Sequence, residues 1–110
     1  MNKFYIGEFE EVVLLTVGIL HGNAYGFTIR DEIEKDMKRK VSIGSLQVTL
    51  RRLESKGFLK SAPGASDEAR RGRPKLFFEL TAHGKRAIEI THESRNNMWK
   101  KLPRLLLRLQ

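Results

Sequence analysis

The 110-residue chain contains no cysteine, which removes disulfides, thiolate metal sites and cysteine nucleophiles at once. It also lacks any apolar run approaching the ~20 residues of a membrane span, so no membrane partner is expected. Residues 1–7 have neither the basic nor the apolar region of a signal peptide, and a soluble cytoplasmic protein is the expectation. Histidines are few: His83 and His92 are separated in sequence and His21 is distant, without metal-ligand spacing to one another or to a suitable carboxylate. There is no phosphate-cradling glycine loop and no serine elbow. Glu8, Glu10 and Glu11 are close carboxylates, but neighbours at a helix start more often answer the positive end of the helix dipole than form an acid–base pair. No catalytic residue, metal or cofactor is therefore expected, and the chain does not read as an enzyme.

What the chain has in abundance is positive charge. The formal net charge is +8 and the pI is about 10.1, values that suit a partner of polyanionic character. Distribution says more than the total. Lys35, Lys38, Arg39, Lys40, Arg51, Arg52, Lys56 and Lys60 face only Asp36 and Glu54 between residues 35 and 60. A second cluster, Arg70, Arg71, Arg73 and Lys75, has no acid among it. A scattered basic excess often binds nothing in particular; two clusters in separate elements point to nucleic acid.

Hydrophobic periodicity orders the rest of the chain. A first helix is expected over residues 8–20, where Phe9, Val12, Val13, Thr16, Ile19 and Leu20 keep the helical period. Residues 12–20 are so apolar that two faces must be covered, one in the core and one against a partner. A second helix is expected over residues 25–37, with Phe27, Ile29, Ile33 and Met37 inward. A short basic turn, residues 38–41, leads to a third helix. Ile43, Leu46, Leu50 and Leu53 make its buried stripe, Ser42 stands at its N-cap and Gly57 at its end. Residues 58–62 and 76–80 then read as strands. The polar loop between them, residues 63–75, is too long for a tight turn. The expected fold is mainly α with a β-hairpin wing: a winged helix-turn-helix domain over residues 1–81 and a C-terminal helical dimerisation segment over residues 82–110.

The open face of the third helix carries the candidate chemistry. Ser45, Val48, Thr49 and Arg52 can reach base edges or thymine methyls in a major groove, each good contact being worth ~1–3 kcal/mol of discrimination. Arg51 and Lys56 flank that face, and Ser42 with the first amides of the helix can hold a phosphate. Arg70, Arg71, Arg73 and Lys75 suit backbone phosphates or a minor groove. The partner so described is double-stranded DNA. Two rivals remain at this point: a winged helix that binds protein, and an RNA-binding domain, which basic charge alone permits.

The C-terminal helix is expected from Thr81 onward. Gly84, Ile88, Thr91, Arg95, Met98, Leu102, Leu105 and Leu109 alternate by four and three, a heptad seam that is strongest after Met98. Pro103 either kinks this helix or ends it near Lys101 and opens a short second one. Phe9, Val13, Met98, Trp99, Leu102, Leu105, Leu106 and Leu109 are the expected dimer contacts. Trp99 beside Met98 reads as an interface anchor, or alternatively as the wall of a pocket for a small aromatic or amphiphilic effector.

Four motifs in order resemble the PadR family of bacterial transcriptional regulators, over residues 6–84. They are the run Ile6-Gly7-Glu8-Phe9-Glu10-Glu11-Val12-Val13-Leu14-Leu15, the Asn23-Ala24-Tyr25-Gly26 opening of the second helix, the stretch 41–57, and the wing's return. That return is carried by Gly72-Arg73-Pro74, Phe77-Phe78-Glu79-Leu80-Thr81 and Gly84. Where the family usually has a tyrosine that serves DNA backbone contact, this chain has Gln47, which can donate to phosphate or read adenine. Its usual Tyr-Tyr pair is Phe77-Phe78, residues suited to packing. The resemblance implies a homodimer in which the C-terminal helix packs on the partner's first helix, acting mostly as a repressor at palindromic operators. With no separate effector domain, any effector would bind at the dimer interface.

Overall fold

The computed structural model describes residues 3–64 and 75–109. In chain order these form α1 (Glu8–Ile19), α2 (Gly26–Met37), α3 (Ile43–Ser55), β1 (Leu59–Pro63), β2 (Leu76–Leu80) and α4 (Ala82–Lys100), followed by a 3-10 turn at Leu106–Arg108. Three helices pack around Val13, Leu14, Val17, Ile29, Ile33, Leu46, Leu50 and Leu53, and the hairpin closes one side with Phe58, Leu59 and Phe78.

Local chemistry explains each boundary. Ser42 accepts a hydrogen bond from the Ser45 amide at 3.1 Å and starts α3. At its far end Gly57 has φ +80°, a conformation open to glycine, and the Phe58 amide reaches back to the Leu53 carbonyl at 2.9 Å. That bond explains why β1 begins at Leu59 and not at Phe58, as the pattern predicts: the Phe58 amide is taken. Between α2 and α3, Lys38 is left-handed at φ 54°, and the Glu34 carboxylate accepts from the Val41 amide at 2.8 Å. The turn of the helix-turn-helix is thus held by the chain itself. The antiparallel hairpin pairs Leu59 with Leu80 through to Pro63 with Leu76, and Lys60 faces Glu79 at 3.4 Å. The Phe78 amide donates to the Ala24 carbonyl at 2.8 Å, fastening β2 to the chain just before α2.

Three expectations are corrected. Ile29 and Ile33 are buried, but Phe27 is 54% exposed, because two residues before Ile29 it lies on another side of the helix, and Met37 is exposed at the last residue of α2. Val13, expected at a dimer contact, is fully buried within the chain. Helical spacing groups it with Glu10, Leu14 and Val17 on the inner face, and leaves Leu15 and Ile19 as the exposed apolar residues of α1. Finally, the heptad seam is not continuous. α4 ends at Lys100 and Pro103 lies beyond it, since proline lacks an amide and disfavours helical geometry at Leu102. Leu102, Leu105, Leu106 and Leu109 therefore follow the helix as an exposed, irregular segment.

The first turns of α4 are seated differently from its end. Thr81 accepts from the Gly84 amide at 3.0 Å and donates to the Gly57 carbonyl at 2.6 Å. Gly84 lies so close to the Phe58 backbone that a Cβ there would sit 2.1 Å from its carbonyl oxygen. His83 stacks on Phe58, and Ala87 is buried. Beyond Arg95 the helix leaves the core, and the molecule measures 60 × 32 × 21 Å.

Candidate nucleic-acid interface

α3 is a helix with one face sunk in the core. Leu46, Leu50 and Leu53 are fully buried, each stabilising the seat by roughly 1.5–3 kcal/mol. Its outer face presents Gly44, Ser45, Val48, Arg51 and Arg52, with Val48 47% exposed. Arg51 and Arg52 have no ion-pair partner among the described residues, and neither do Lys38 and Lys40 in the preceding turn. Cations held on a rigid helix without a partner of their own are available to a polyanion.

Not every residue marked by the sequence stands on that face. Thr49 is 5% exposed and its hydroxyl donates to the Ser45 carbonyl at 3.1 Å, so it belongs to the seat and not to the reading surface. Lys56 is engaged as well: its ammonium lies 2.9 Å from the nearly buried carboxylate of Glu10. Glu10 also accepts from the Gly7 amide at 2.9 Å, closing the first turn of α1. Arg39 makes a two-pronged pair with Glu8 at 3.1 and 3.2 Å, lying over the Phe9 ring. Arg95 of α4 reaches Glu11 at 2.9 Å. The acidic start of α1 thus does more than answer a helix dipole: its three glutamates tie the turn before α3, the end of α3 and the middle of α4 to one point. The sequence hinted at this only through three acids clustered at the start of α1 in a chain of net charge +8.

Gln47 stands on the flank of α3 that faces α2 and β2, half-buried and without a hydrogen-bond partner among the described residues. It borders a slot of about 220 Å³ with Tyr25, Gly26, Phe27, Ile43 and Lys75. The Lys75 ammonium sits 4.4 Å from the centre of the Tyr25 ring, which in turn meets Phe77 edge-on at 5.2 Å. Periodicity missed Phe27 as a surface residue of this slot, because an aromatic beside a buried stripe reads as core. Arg70, Arg71 and Arg73 lie outside the described residues. Met98 and Trp99 are 72% and 60% exposed, at the end of α4 and far along the chain from α3. No described helix is long and apolar enough to cross a membrane.

Known proteins share this architecture. A PadR family transcription regulator from Clostridium difficile is 28% identical, with a TM-score of 0.62 over 86% of this chain and 97% of that one. A PadR-like transcription factor from Bacteroides fragilis is 24% identical, with a TM-score of 0.69 over 84% of each chain. A PadR family transcriptional regulator from Eggerthella lenta is 22% identical, with a TM-score of 0.67 over 93% of this chain and 88% of that one. No curated protein matches the sequence. Residues 14–90, from the middle of α1 to the seated half of α4, match the transcriptional regulator PadR-like family. The helix-turn-helix, the hairpin beside it and this match agree: the chain belongs to the PadR-like family and is a DNA-binding transcription regulator.

Proposed function

We propose that this regulator binds a specific palindromic operator in double-stranded DNA as a homodimer and acts as a repressor. The observation that carries the reading is the outer face of α3, where Ser45, Val48, Arg51 and Arg52 stand exposed over a fully buried leucine stripe. In this reading α3 enters the major groove, Val48 meets thymine methyls, and Arg52 reads a base edge. Ser42 with the first amides of α3 holds a phosphate. Arg70, Arg71, Arg73 and Lys75 of the wing contact the backbone without reading sequence.

Self-association is supported by the apolar surface that the chain leaves open. Met98, Trp99, Leu102, Leu105, Leu106 and Leu109 at one end, with Leu15 and Ile19 on α1, are all exposed. A dimer that covers them would place its two α3 helices about one DNA turn apart, ~34 Å. A small aromatic or amphiphilic effector would bind beside Trp99 and relieve repression by altering that spacing. Such a regulator works where the chromosome is, in the cytoplasm.

The test is an anisotropy titration with a duplex that the wild-type chain selects from a random-sequence pool. Arg52→Ala should weaken binding to that duplex and relax its preference, while Arg71→Ala should weaken binding to every duplex. With roughly six phosphates neutralised, the log–log salt slope should be about −5. Neither substitution changing duplex affinity would overturn the reading. Equal competition by double-stranded RNA would overturn it too, since the A-form major groove does not admit a helix.

A further inference from the structure

The slot between α2, α3 and β2 contains an arrangement that the proposed function leaves unused. An ideal Cβ on Gly26 would sit 3.0 Å from the end of the Gln47 side chain, tighter than an ordinary contact. The Gln47 carboxamide therefore lies directly across the first residue of α2, and a side chain at residue 26 would oblige it to shift by a few tenths of an ångström. Gly26 does not need glycine for its backbone: Gly22 and Gly57 have left-handed dihedral angles, and Gly26 is not among them. The one neighbour that a side chain at residue 26 would meet within 4 Å is Gln47.

Gln47 is also poised for a ligand. It makes no hydrogen bond among the described residues, though it is half-buried. The chain around it is polarised for an anion. α2 starts without a side-chain cap on its N-terminal amides, which leaves first-turn donors beside the carboxamide. The Tyr25 amide alone is satisfied by a side chain, Thr28 Oγ1 at 3.0 Å. The Lys75 ammonium stands on the same slot over Tyr25, and exposed Arg51 lies one turn after Gln47 on the same flank of α3. In helix-turn-helix docking the first helix crosses the sugar–phosphate backbone while the second reads the groove. A group that belongs to α3 but lies on the start of α2 is therefore placed at the backbone and away from base edges.

We propose that Gly26 is a positioning residue for DNA binding: by lacking a Cβ it lets the Gln47 carboxamide lie at the mouth of this slot, where it donates to a backbone phosphate. The inference rests on duplex binding through α3. Gln47 then contributes affinity and register, whereas Val48 and Arg52 contribute sequence preference. Within the chain the Gly26 effect passes through Gln47, the one neighbour that an added Cβ meets.

The experiment is a double-mutant cycle read by anisotropy on two duplexes, the selected one and a scrambled one of the same composition. Gln47→Ala is expected to lower affinity for both by the same factor, about tenfold per subunit, as for one hydrogen bond to a charged group lost from each. Its salt slope should not change, because no charge is lost. Gly26→Ala is expected to reproduce that loss, with an unchanged thermal midpoint, and to have no further effect in the Gln47→Ala background. Gln47→Lys should recover affinity on both duplexes and steepen the slope by about one per subunit. A loss confined to the selected duplex would make Gln47 a base reader and overturn the phosphate assignment. An effect of Gly26→Ala that persists undiminished without Gln47 would overturn the positioning role. Wild-type chain that binds no duplex would remove the proposed function and this inference together. Wild type that binds and responds to Arg52→Ala, but ignores both Gly26 and Gln47 substitutions, would remove this inference alone.

Discussion

α3 and α4 start in the same way and end differently. Each opens on a hydroxyl that accepts from the amide three residues on, Ser42 for α3 and Thr81 for α4. α3 is then anchored along its length by Leu46, Leu50 and Leu53, and a glycine stop closes it. α4 is anchored only at its first turns, through Gly84 and Ala87, with the Glu11–Arg95 pair as a last tie. Past that tie it carries Met98 and Trp99 into the open. The difference is one of purpose in the fold. In the proposed function α3 meets the groove while held rigidly by its own chain, and the uncovered apolar end of α4 is closed by a second copy.

The comparison can be broken at its strongest point first. Leu50→Ala should destabilise the domain by about 2–5 kcal/mol in denaturant unfolding, because a fully buried side chain leaves a cavity beneath α3. A loss near zero would mean that α3 is not seated as described. Gly84→Ala should cost about 1–3 kcal/mol by the same measurement, since its Cβ would collide with the Phe58 carbonyl and push α4 off the core. For Trp99→Ala the effect should move to a different observable. Stability of the dilute chain should change by less than about 0.5 kcal/mol, as for other exposed positions. Self-association, followed by sedimentation equilibrium, should weaken by about 2 kcal/mol, or roughly thirtyfold. A large loss of monomer stability would show that Trp99 belongs to the fold and not to an interface.

The two caps sharpen the contrast with the smallest effects. Ser42→Ala should cost about 1 kcal/mol, the ordinary value for a lost N-cap. Thr81→Ala should cost more, by about 0.5–1.5 kcal/mol, because its hydroxyl also donates to the Gly57 carbonyl at the end of α3. Equal losses in thermal unfolding would mean that this second bond contributes little, and that the end of α3 and the start of α4 are not coupled through it.

Periodicity located the helices well because a buried stripe imposes the same spacing in any fold, and Ser42, Gly57 and Thr81 punctuate it. It was weakest where a helix has more apolar residues than one face can hold. On α1 the pattern allows either Val13 or Leu15 to face outward, and only packing against α2 and α3 selects Val13 for the core. On α2 it assigned Phe27 inward, yet two residues before Ile29 that side chain stands on another side of the helix. Thr49 and Lys56 differ from the pattern for another reason. Their chemistry suits DNA, but intramolecular partners, the Ser45 carbonyl and the Glu10 carboxylate, engage them first. A sequence shows which groups can bind and not which are already bound. Pro103 was read as an alternative between a kink and a break, and the break is what its missing amide produces at the unsupported end of a helix.

The sequence by itself determined the order of elements, the inner stripe of α3, its caps and the excess of positive charge, because these depend on spacing and residue type alone. Tertiary structure alone decided which cations remain unpaired, which face of α1 is buried and that Gln47 lies across Gly26. Those facts depend on distances between residues remote in the chain: Glu10 and Lys56, Glu11 and Arg95, Gly26 and Gln47. Only folding, which fixes the angles between α1, α2, α3 and α4, brings such pairs within reach of one another.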